Sequence, residues 1–300
     1  MGLKIHAERI TPEIAARLME LCPFHGFLYE GGALSVTAGC RGCKLCVKKG
    51  PRGAVTWESE TAAPSVDKAA WRGVAVYADV RVGAVHPVTT ELIGKARELA
   101  AVTGQPVYAL LIGSETGAAA KELLHYGADA VYVYDDPAFA AFSVSPYAEA
   151  FYDFIRQVRP SSILVGATNL GRSLAPKVAA RCNTGLTADC TVLRMKGNSD
   201  LVQIRPAFGG NIMAEIVTPR ARPQFCTVRY KIFSAPARMS APRGEIVRMA
   251  VTDAMRRSRT EVLSVTDKPK EIDISDAEVI VACGRGLHYA HGGVHLSGSV

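Results

Sequence analysis

The sequence predicts an α/β protein in two parts, a small α+β domain over residues 1–60 and a doubly wound parallel sheet over residues 73–235. Three close cysteines mark the first part, and apolar strands that alternate with amphipathic helices mark the second. Strands that are apolar along their whole length need helices on both faces of their sheet. An apolar fraction of 48% with 21% charged residues is that of an ordinary globular chain.

The first sixty residues contain short strand and helix patterns. LKIHAERI alternates like a strand, and TPEIAARLMEL predicts a helix with Thr11 as its N-cap and Pro12 at its first position. FLYEGGALSV predicts a hairpin that turns at Gly31 and Gly32, and AVTWE predicts a closing strand. A unit of this size has a small core, which a metal centre would stabilise.

Three cysteines, Cys40, Cys43 and Cys46, follow one another with two residues between each pair. A loop of this spacing wraps successive corners of a compact cluster, and Gly42 allows the backbone to close on it. Structural zinc sites usually use two separated cysteine pairs, so the spacing favours a 4Fe-4S cluster.

The fourth ligand is predicted by comparison with bacterial ferredoxins that hold two clusters. In their cysteine run a fourth Cys precedes Pro and binds the other cluster, and this sequence departs from that pattern at two positions. Here Gly50 precedes Pro51, whereas Cys22 precedes Pro23 with no cysteine run before it. Both departures fit a ferredoxin-like domain that retains one cluster, held by Cys22 and the three close cysteines. The alternative is that these four cysteines are buried or bind zinc. The remaining cysteines are interpreted as small buried apolar residues: Cys182, Cys190, Cys226 and Cys283.

The larger domain follows a predicted linker at 61–72. Its ligands are expected at the carboxyl ends of the strands. There SILVGATNLGRSLAP leads from a strand through Thr168, Gly171 and Arg172 into a helix predicted from Ser173, so that amides and a guanidinium are available to an anion. The spacing matches neither a P-loop nor a dinucleotide motif, so the nucleotide signal from the residues alone is weak. Further arginines are surface or interface residues on the simplest interpretation: Arg205, Arg220, Arg222 and Arg229.

Five motifs between about 73 and 233 point to a family: VHPVTTELIGKARELA, YGADAVYV, GATNLGRSLAPKVAARCNTGLTADC, IRPAFGGN and ARPQFCTVR. In this order they resemble the N-terminal domain of the alpha subunit of electron transfer flavoproteins, which implies an adenine nucleotide hydrolase-like fold. The ferredoxin-like extension resembles that of alpha subunits in complexes with an anaerobic acyl-CoA dehydrogenase or enoyl-CoA reductase, some of which bifurcate electrons.

The resemblance implies an electron carrier without substrate chemistry of its own, paired with a beta subunit. It implies one FAD at the interface between the subunits and a second FAD in the alpha subunit's C-terminal domain. Arg222 matches the family arginine close to the interface flavin, although Ala221 stands where the family often has Thr. Arg172, Arg205 and Thr168 are further candidate cofactor contacts.

The predicted C-terminal parts are a linker at 236–270 and the start of an FAD-binding domain at 271–300. EVIVACGRGL resembles the first strand and turn of the family's FAD-binding domain, and HYAHGGVHLSGSV then ends the sequence. The pattern therefore predicts an FAD-binding domain that is truncated, with residues after about 270 poorly anchored.

Charge and hydropathy limit the other classes of function. The net charge of +7 comes from scattered Lys and Arg, with no basic run that would indicate nucleic-acid binding. No apolar run long enough to span a membrane and no signal peptide is seen, so a cytoplasmic location is expected. Two alternatives to an electron carrier stay open: a nucleotide-binding or assembly module with structural cysteines, and a nonfunctional fragment.

Overall fold

The computed structural model describes residues 2–58, 66–81, 83–266, 277 and 279–281. Residues 1–259 form one compact unit and residues 260–300 form a second. The described part of the second unit carries no helix or strand. The predicted start of an FAD-binding domain at 271–300 lies almost wholly outside the described residues.

The N-terminal elements follow the order strand, helix, strand, strand, helix, strand. They are β1 (Gly2–Ile5), α1 (Pro12–Leu21), β2 (Phe27–Glu30), β3 (Ala33–Val36), α2 (Leu45–Lys49) and β4 (Val55–Glu58). β1 pairs antiparallel with β4, and β2 pairs antiparallel with β3. Leu18, Phe27 and Val55 belong to the small core of these elements.

Local sequence signals explain most of these boundaries. The Thr11 hydroxyl accepts a hydrogen bond from the amide of Ile14 at 3.3 Å, which confirms the predicted N-cap of α1. Gly31 and Gly32 have φ values of 58° and 79°, which suits the tight turn between β2 and β3. The sequence does not predict α2, because five residues are too few to show a helical period.

The elements of the larger domain are, in chain order, β5 (Val74–Ala78), β6 (Val80–Arg81), β7 (Ala84–Val85), α3 (Pro87–Thr103), β8 (Val107–Gly113), α4 (Gly117–Leu124), β9 (Ala130–Asp135), α5 (Val144–Val158), β10 (Ser162–Gly166), α6 (Asn169–Arg181), β11 (Leu186–Cys190), β12 (Val192–Met195), β13 (Leu201–Ala207), β14 (Ile212–Ile216), β15 (Gln224–Val228), β16 (Glu245–Arg248) and α7 (Asp253–Arg256). Seven strands form one sheet in the order β11, β15, β10, β5, β8, β9, β16. All its neighbouring strands are parallel. The predicted parallel sheet is thereby confirmed.

Two apolar cores lie on the two faces of this sheet. Leu92 of α3 and Leu123 of α4 belong to one core, whereas Phe151 of α5 and Leu174 of α6 belong to the other. The strand residues between them are buried throughout, as in β5 and β10. Helices therefore cover both faces, which is the doubly wound arrangement.

Three features of this domain differ from the sequence prediction. The predicted linker 236–270 is wrong over Glu245–Arg248, because these residues form the edge strand β16 beside β9. β16 has a charged residue at each end, so its short sequence does not indicate a strand. Within it, Ile246 packs against one of the two apolar cores. α6 begins at Asn169 instead of Ser173. The antiparallel sheet β12, β13, β14 was not predicted.

The end of the other predicted linker, 61–72, belongs to the larger domain. Residues 59–65 lie outside the described part of the chain, but Lys68 bonds to both carboxylate oxygens of Asp200 at 2.8 Å. Trp71 packs against one of the two cores. The domain therefore begins before the predicted position 73.

Candidate functional site

The four predicted cluster ligands line one small pocket. Cys22 caps the end of α1, Cys46 lies in α2, and Cys40 and Cys43 lie in the loop before α2. Apolar side chains complete the lining: Leu3, Phe24, Phe27 and Leu45. The fold therefore brings together thiols that are up to 24 positions apart in the sequence.

Gly26 allows the two cysteine segments to approach each other. A Cβ atom on Gly26 would lie 3.1 Å from the Cα of Cys40 and 3.3 Å from the Sγ of Cys22. The Gly26 amide also donates to the Sγ of Cys22 at 3.3 Å. Amides directed at sulfur are a regular feature of cluster sites, because they stabilise the negative charge on the ligands. Sequence reasoning missed Gly26, since no local pattern marks a glycine needed for a distant contact.

The ionisation of Cys46 shows how close these thiols are. Burial raises the pKa of the Cys46 thiol, and the negative charge of the neighbouring Cys40 and Cys43 raises this pKa further. Cys46 is therefore a neutral thiol at neutral pH unless a cationic centre binds it.

The four cysteines do not form a site for a single metal ion. Within residues 2–58, 66–81 and 83–266, no three His, Cys, Asp or Glu side chains are grouped closely enough to hold one metal ion. The 4Fe-4S cluster at these cysteines stays a prediction.

The predicted anion loop lies at the carboxyl edge of the parallel sheet. The Thr168 hydroxyl accepts from the amide of Gly171 at 3.1 Å, so it is the N-cap of α6. Arg172 donates to the carbonyl of Ala167 at 2.9 Å and pairs with Asp189 at 2.8 Å. A Cβ on Gly171 would overlap the carbonyl oxygen of Gly166. Thr168 and Arg172 are thus close together, but each already has a partner within the chain.

A buried carboxylate at the same edge was missed from the sequence. Asp79 follows β5 and is 1% exposed, and its Oδ2 has no hydrogen-bond partner among the described residues. Burial and the Asp79 charge raise the pKa of Tyr147 to about 12, which places the two side chains near each other. The sequence signal for Asp79 is its position directly after an apolar strand. This edge therefore carries two carboxylates, those of Asp79 and Asp189, beside the guanidinium groups of Arg172 and Arg229.

The other two predicted cofactor contacts lie elsewhere. Arg222 precedes β15 and so lies at the amino edge of the sheet, with a fully buried side chain that pairs with Asp200 at 2.8 Å. Arg205 lies in β13, opposite Ala214 of β14. Because Thr168 follows β10 and Arg222 precedes the adjacent β15, the two are separated by the length of the sheet, on the order of 20 Å. The four residues do not form one site.

The other predicted groups are placed as follows. Cys190 and Cys226 are buried, as predicted, and Cys182 is half-buried, whereas Cys283 lies outside the described residues. Arg220 and Arg229 are exposed, and Arg229 pairs with Asp189 at 3.2 Å. No helix within the described ranges is long and apolar enough to cross a membrane.

Comparison with known proteins identifies the larger domain. The electron transfer flavoprotein domain family matches residues 74–254. The chain is 57% identical over 286 residues to the lactate dehydrogenase (NAD(+),ferredoxin) subunit LctC of Acetobacterium woodii, which covers 95% of this chain and 68% of that protein.

Two further relatives match a shorter part. The electron transfer flavoprotein subunit alpha of Megasphaera elsdenii is 41% identical, over 74% of this chain and 67% of its own length. The acryloyl-CoA reductase electron transfer subunit beta of Anaerotignum propionicum is 35% identical, over 78% of this chain and 71% of its own length. The chain thus spans about two thirds of the length of these relatives. It belongs to the electron transfer flavoprotein family as an alpha-type member, with an electron transfer role in oxidoreductase complexes.

Proposed function

We propose that this chain is an alpha-type carrier subunit that relays electrons through one 4Fe-4S cluster to a flavin at its interface with a beta-type subunit. The single observation that carries the proposal is the pocket lined by Cys22, Cys40, Cys43 and Cys46. The element order β1, α1, β2, β3, α2, β4, with β1 paired to β4 and β2 paired to β3, supports a ferredoxin-like domain.

The chain's own residues supply the surroundings of the cluster. The four cysteines would hold the iron atoms as thiolates, and the cluster would supply one-electron redox chemistry when bound. The Gly26 amide directs its dipole at a ligand sulfur, and Lys44 and Arg41 line the same pocket with positive charge. Positive charge near the site favours the more negative, reduced state.

The flavin part of the proposal rests on the family and not on a cradle in this chain. The FAD contacts of Thr168, Arg172, Arg205 and Arg222 stay predictions, because Thr168 is a helix cap and Arg172 and Arg222 are each paired with a carboxylate. The FAD at the subunit interface is shared with a beta-type subunit, and the carrier has no substrate chemistry of its own.

The partner oxidoreductase is proposed from the extent of the similarity. The match to the lactate dehydrogenase subunit covers 95% of the chain, whereas the match to the Megasphaera alpha subunit covers 74%. Because the longer match takes in the N-terminal cysteines, a dehydrogenase of a small 2-hydroxy acid is the first candidate partner. An acyl-CoA dehydrogenase or enoyl-CoA reductase is the second, supported by the acryloyl-CoA reductase relative. Either complex is compatible with electron bifurcation.

The cluster is tested on protein purified without oxygen. We expect about four iron atoms and four sulfides per chain, with visible absorbance that bleaches reversibly on reduction. Cys43→Ala should lose this absorbance, and Cys182→Ala, the matched control outside the pocket, should retain it. A colourless protein that contains zinc would contradict the cluster and favour structural cysteines.

The flavin is tested separately by co-expression with a beta-type subunit. We expect the two chains to elute together and to retain FAD, while the chain alone retains none. A complex without flavin would contradict the flavin relay but leave the cluster intact.

A further inference from the structure

A basic cavity of about 540 Å3 lies at the amino edge of the parallel sheet, away from the edge where ligands of this fold class usually bind. It is bounded by the segments that precede β5, β10, β11 and β15, together with the carboxyl ends of α5 and α6. Its size is within the range of sites for nucleotide-sized ligands.

The lining of this amino-edge cavity presents three guanidinium groups and one carboxylate, those of Arg156, Arg159, Arg181 and Asp153, and Arg222 borders it with a side chain that is fully buried. The carboxylate accepts hydrogen bonds from the Tyr134 hydroxyl at 2.7 Å and from the Gln157 amide at 2.6 Å. A thiol, that of Cys182, adds no negative charge, because burial raises its pKa to about 11. The cavity is therefore positively charged at neutral pH.

The four arginines at the cavity differ in their partners. Arg181 pairs with Glu149 and lies 4.2 Å above the ring of Tyr152, and Arg222 pairs with Asp200. Arg156 and Arg159, by contrast, are exposed and have no carboxylate partner within the described ranges. Two arginines are thus held in place by the fold, and two are available to a ligand.

Arg222 borders the cavity without offering its charge to a ligand. Its side chain is fully buried, and its guanidinium donates to the carbonyl of Ser199 and to Asp200, so it holds one wall of the cavity in place.

We propose that this cavity binds a nucleoside diphosphate. Guanidinium groups bind phosphate oxygens through paired hydrogen bonds, so Arg156 and Arg159 suit the diphosphate. Trp71 and Tyr152 line the same cavity and offer apolar, aromatic surface to a base. The proposal does not depend on the cluster or on a flavin.

The test is isothermal titration calorimetry on the full chain with ADP, inorganic pyrophosphate and adenosine. The test variant is Arg156→Gln with Arg159→Gln, which changes two exposed and unpaired side chains and so leaves the fold intact. The control is Arg17→Gln with Arg243→Gln, which removes the same charge from exposed positions outside the cavity lining. Thermal unfolding of both variants checks that they are folded.

We expect saturable binding of ADP that weakens with added salt and that falls by roughly tenfold or more in the cavity variant, because each lost guanidinium contact is charge-assisted. The control should bind like the unchanged protein. Pyrophosphate binding as tight as that of ADP would assign the affinity to the diphosphate, and weaker pyrophosphate binding would add a contact with the nucleoside. No saturable binding of either, or equal loss in both variants, would overturn the proposal.

Discussion

The buried ion pair between Arg222 and Asp200 gives the sharpest stability prediction. The Arg222 side chain is 0% exposed, the Asp200 side chain is 6% exposed, and their atoms lie 2.8 Å apart. Asp200→Asn keeps the shape of the side chain but leaves the buried guanidinium without a counter-charge. We expect the free energy of unfolding to fall by about 3–5 kcal/mol, the usual cost of breaking one side of a buried pair.

Lys68→Gln is the matched control, because Lys68 contacts the same carboxylate from a more exposed position. Its side chain is 29% exposed, and its Nζ lies 2.8 Å from Asp200. Loss of such a partly solvated contact should cost no more than about 1 kcal/mol. Urea unfolding at pH 7, followed by circular dichroism, measures both differences. Equal losses in the two variants would refute the reasoning, since burial would then not decide the cost.

The same pair predicts how the difference depends on pH. Burial raises the pKa of Asp200, but hydrogen bonds from Lys68 and Arg222 outweigh it and hold this pKa below its usual value. A lowered carboxylate pKa contributes stability above the unfolded value of about 3.9, and this contribution is lost as the pH falls through the folded value. The deficit of Asp200→Asn should therefore be full at pH 7 and shrink in acid, and a deficit that stays constant would contradict it.

Three further predictions concern packing, capping and charge. Gly171→Ala should lower the melting temperature clearly, because its Cβ would overlap the carbonyl of Gly166, whereas Gly117→Ala, with nothing within 4 Å, should be neutral or slightly stabilising. Thr168→Ala should cost about 1 kcal/mol of unfolding free energy in the same urea assay, because the amide of Gly171 loses its cap. If the cluster is bound, its oxidation by anionic ferricyanide should slow with added salt and its oxidation by a cationic ruthenium ammine should quicken, because residues 41–52 carry five exposed cations and no carboxylate. Equal salt responses of the two oxidants would contradict that last expectation.

The regular elements of the fold were predictable because their signals are local. Thr11 and Pro12 mark the start of α1, two glycines mark a hairpin, and fully apolar runs mark the central strands. Local sequence signals do not predict an element whose structure depends on residues far away in the sequence. β16 is an edge strand whose charges face outward, and its pairing with β9 depends on residues more than a hundred positions away. Its strand character follows from the sheet and not from its own composition.

In the candidate sites, too, the features with a local sequence signal were predicted and those that depend on distant residues were not. The cysteine spacing predicted a set of four thiols, and the fold gathers those four around one pocket. Gly26, which makes room for Cys40 beside Cys22, carried no local signal. The arginines were visible as residue types, but their partners were not, since Arg222 depends on Asp200 and Arg172 on Asp189.

The partners of these arginines decide what each one can do. A guanidinium that is buried and paired, as in Arg222, has its charge neutralised and its terminal nitrogens bonded, so it holds neighbouring segments together. Arg172 is half-exposed and pairs with Asp189, so an incoming anion would have to compete with a carboxylate. Arg156 and Arg159 face neither obstacle, because no carboxylate in the described ranges is bonded to them. Anion binding by this domain is therefore expected at its amino edge, where two guanidinium groups are without a carboxylate partner in the described ranges.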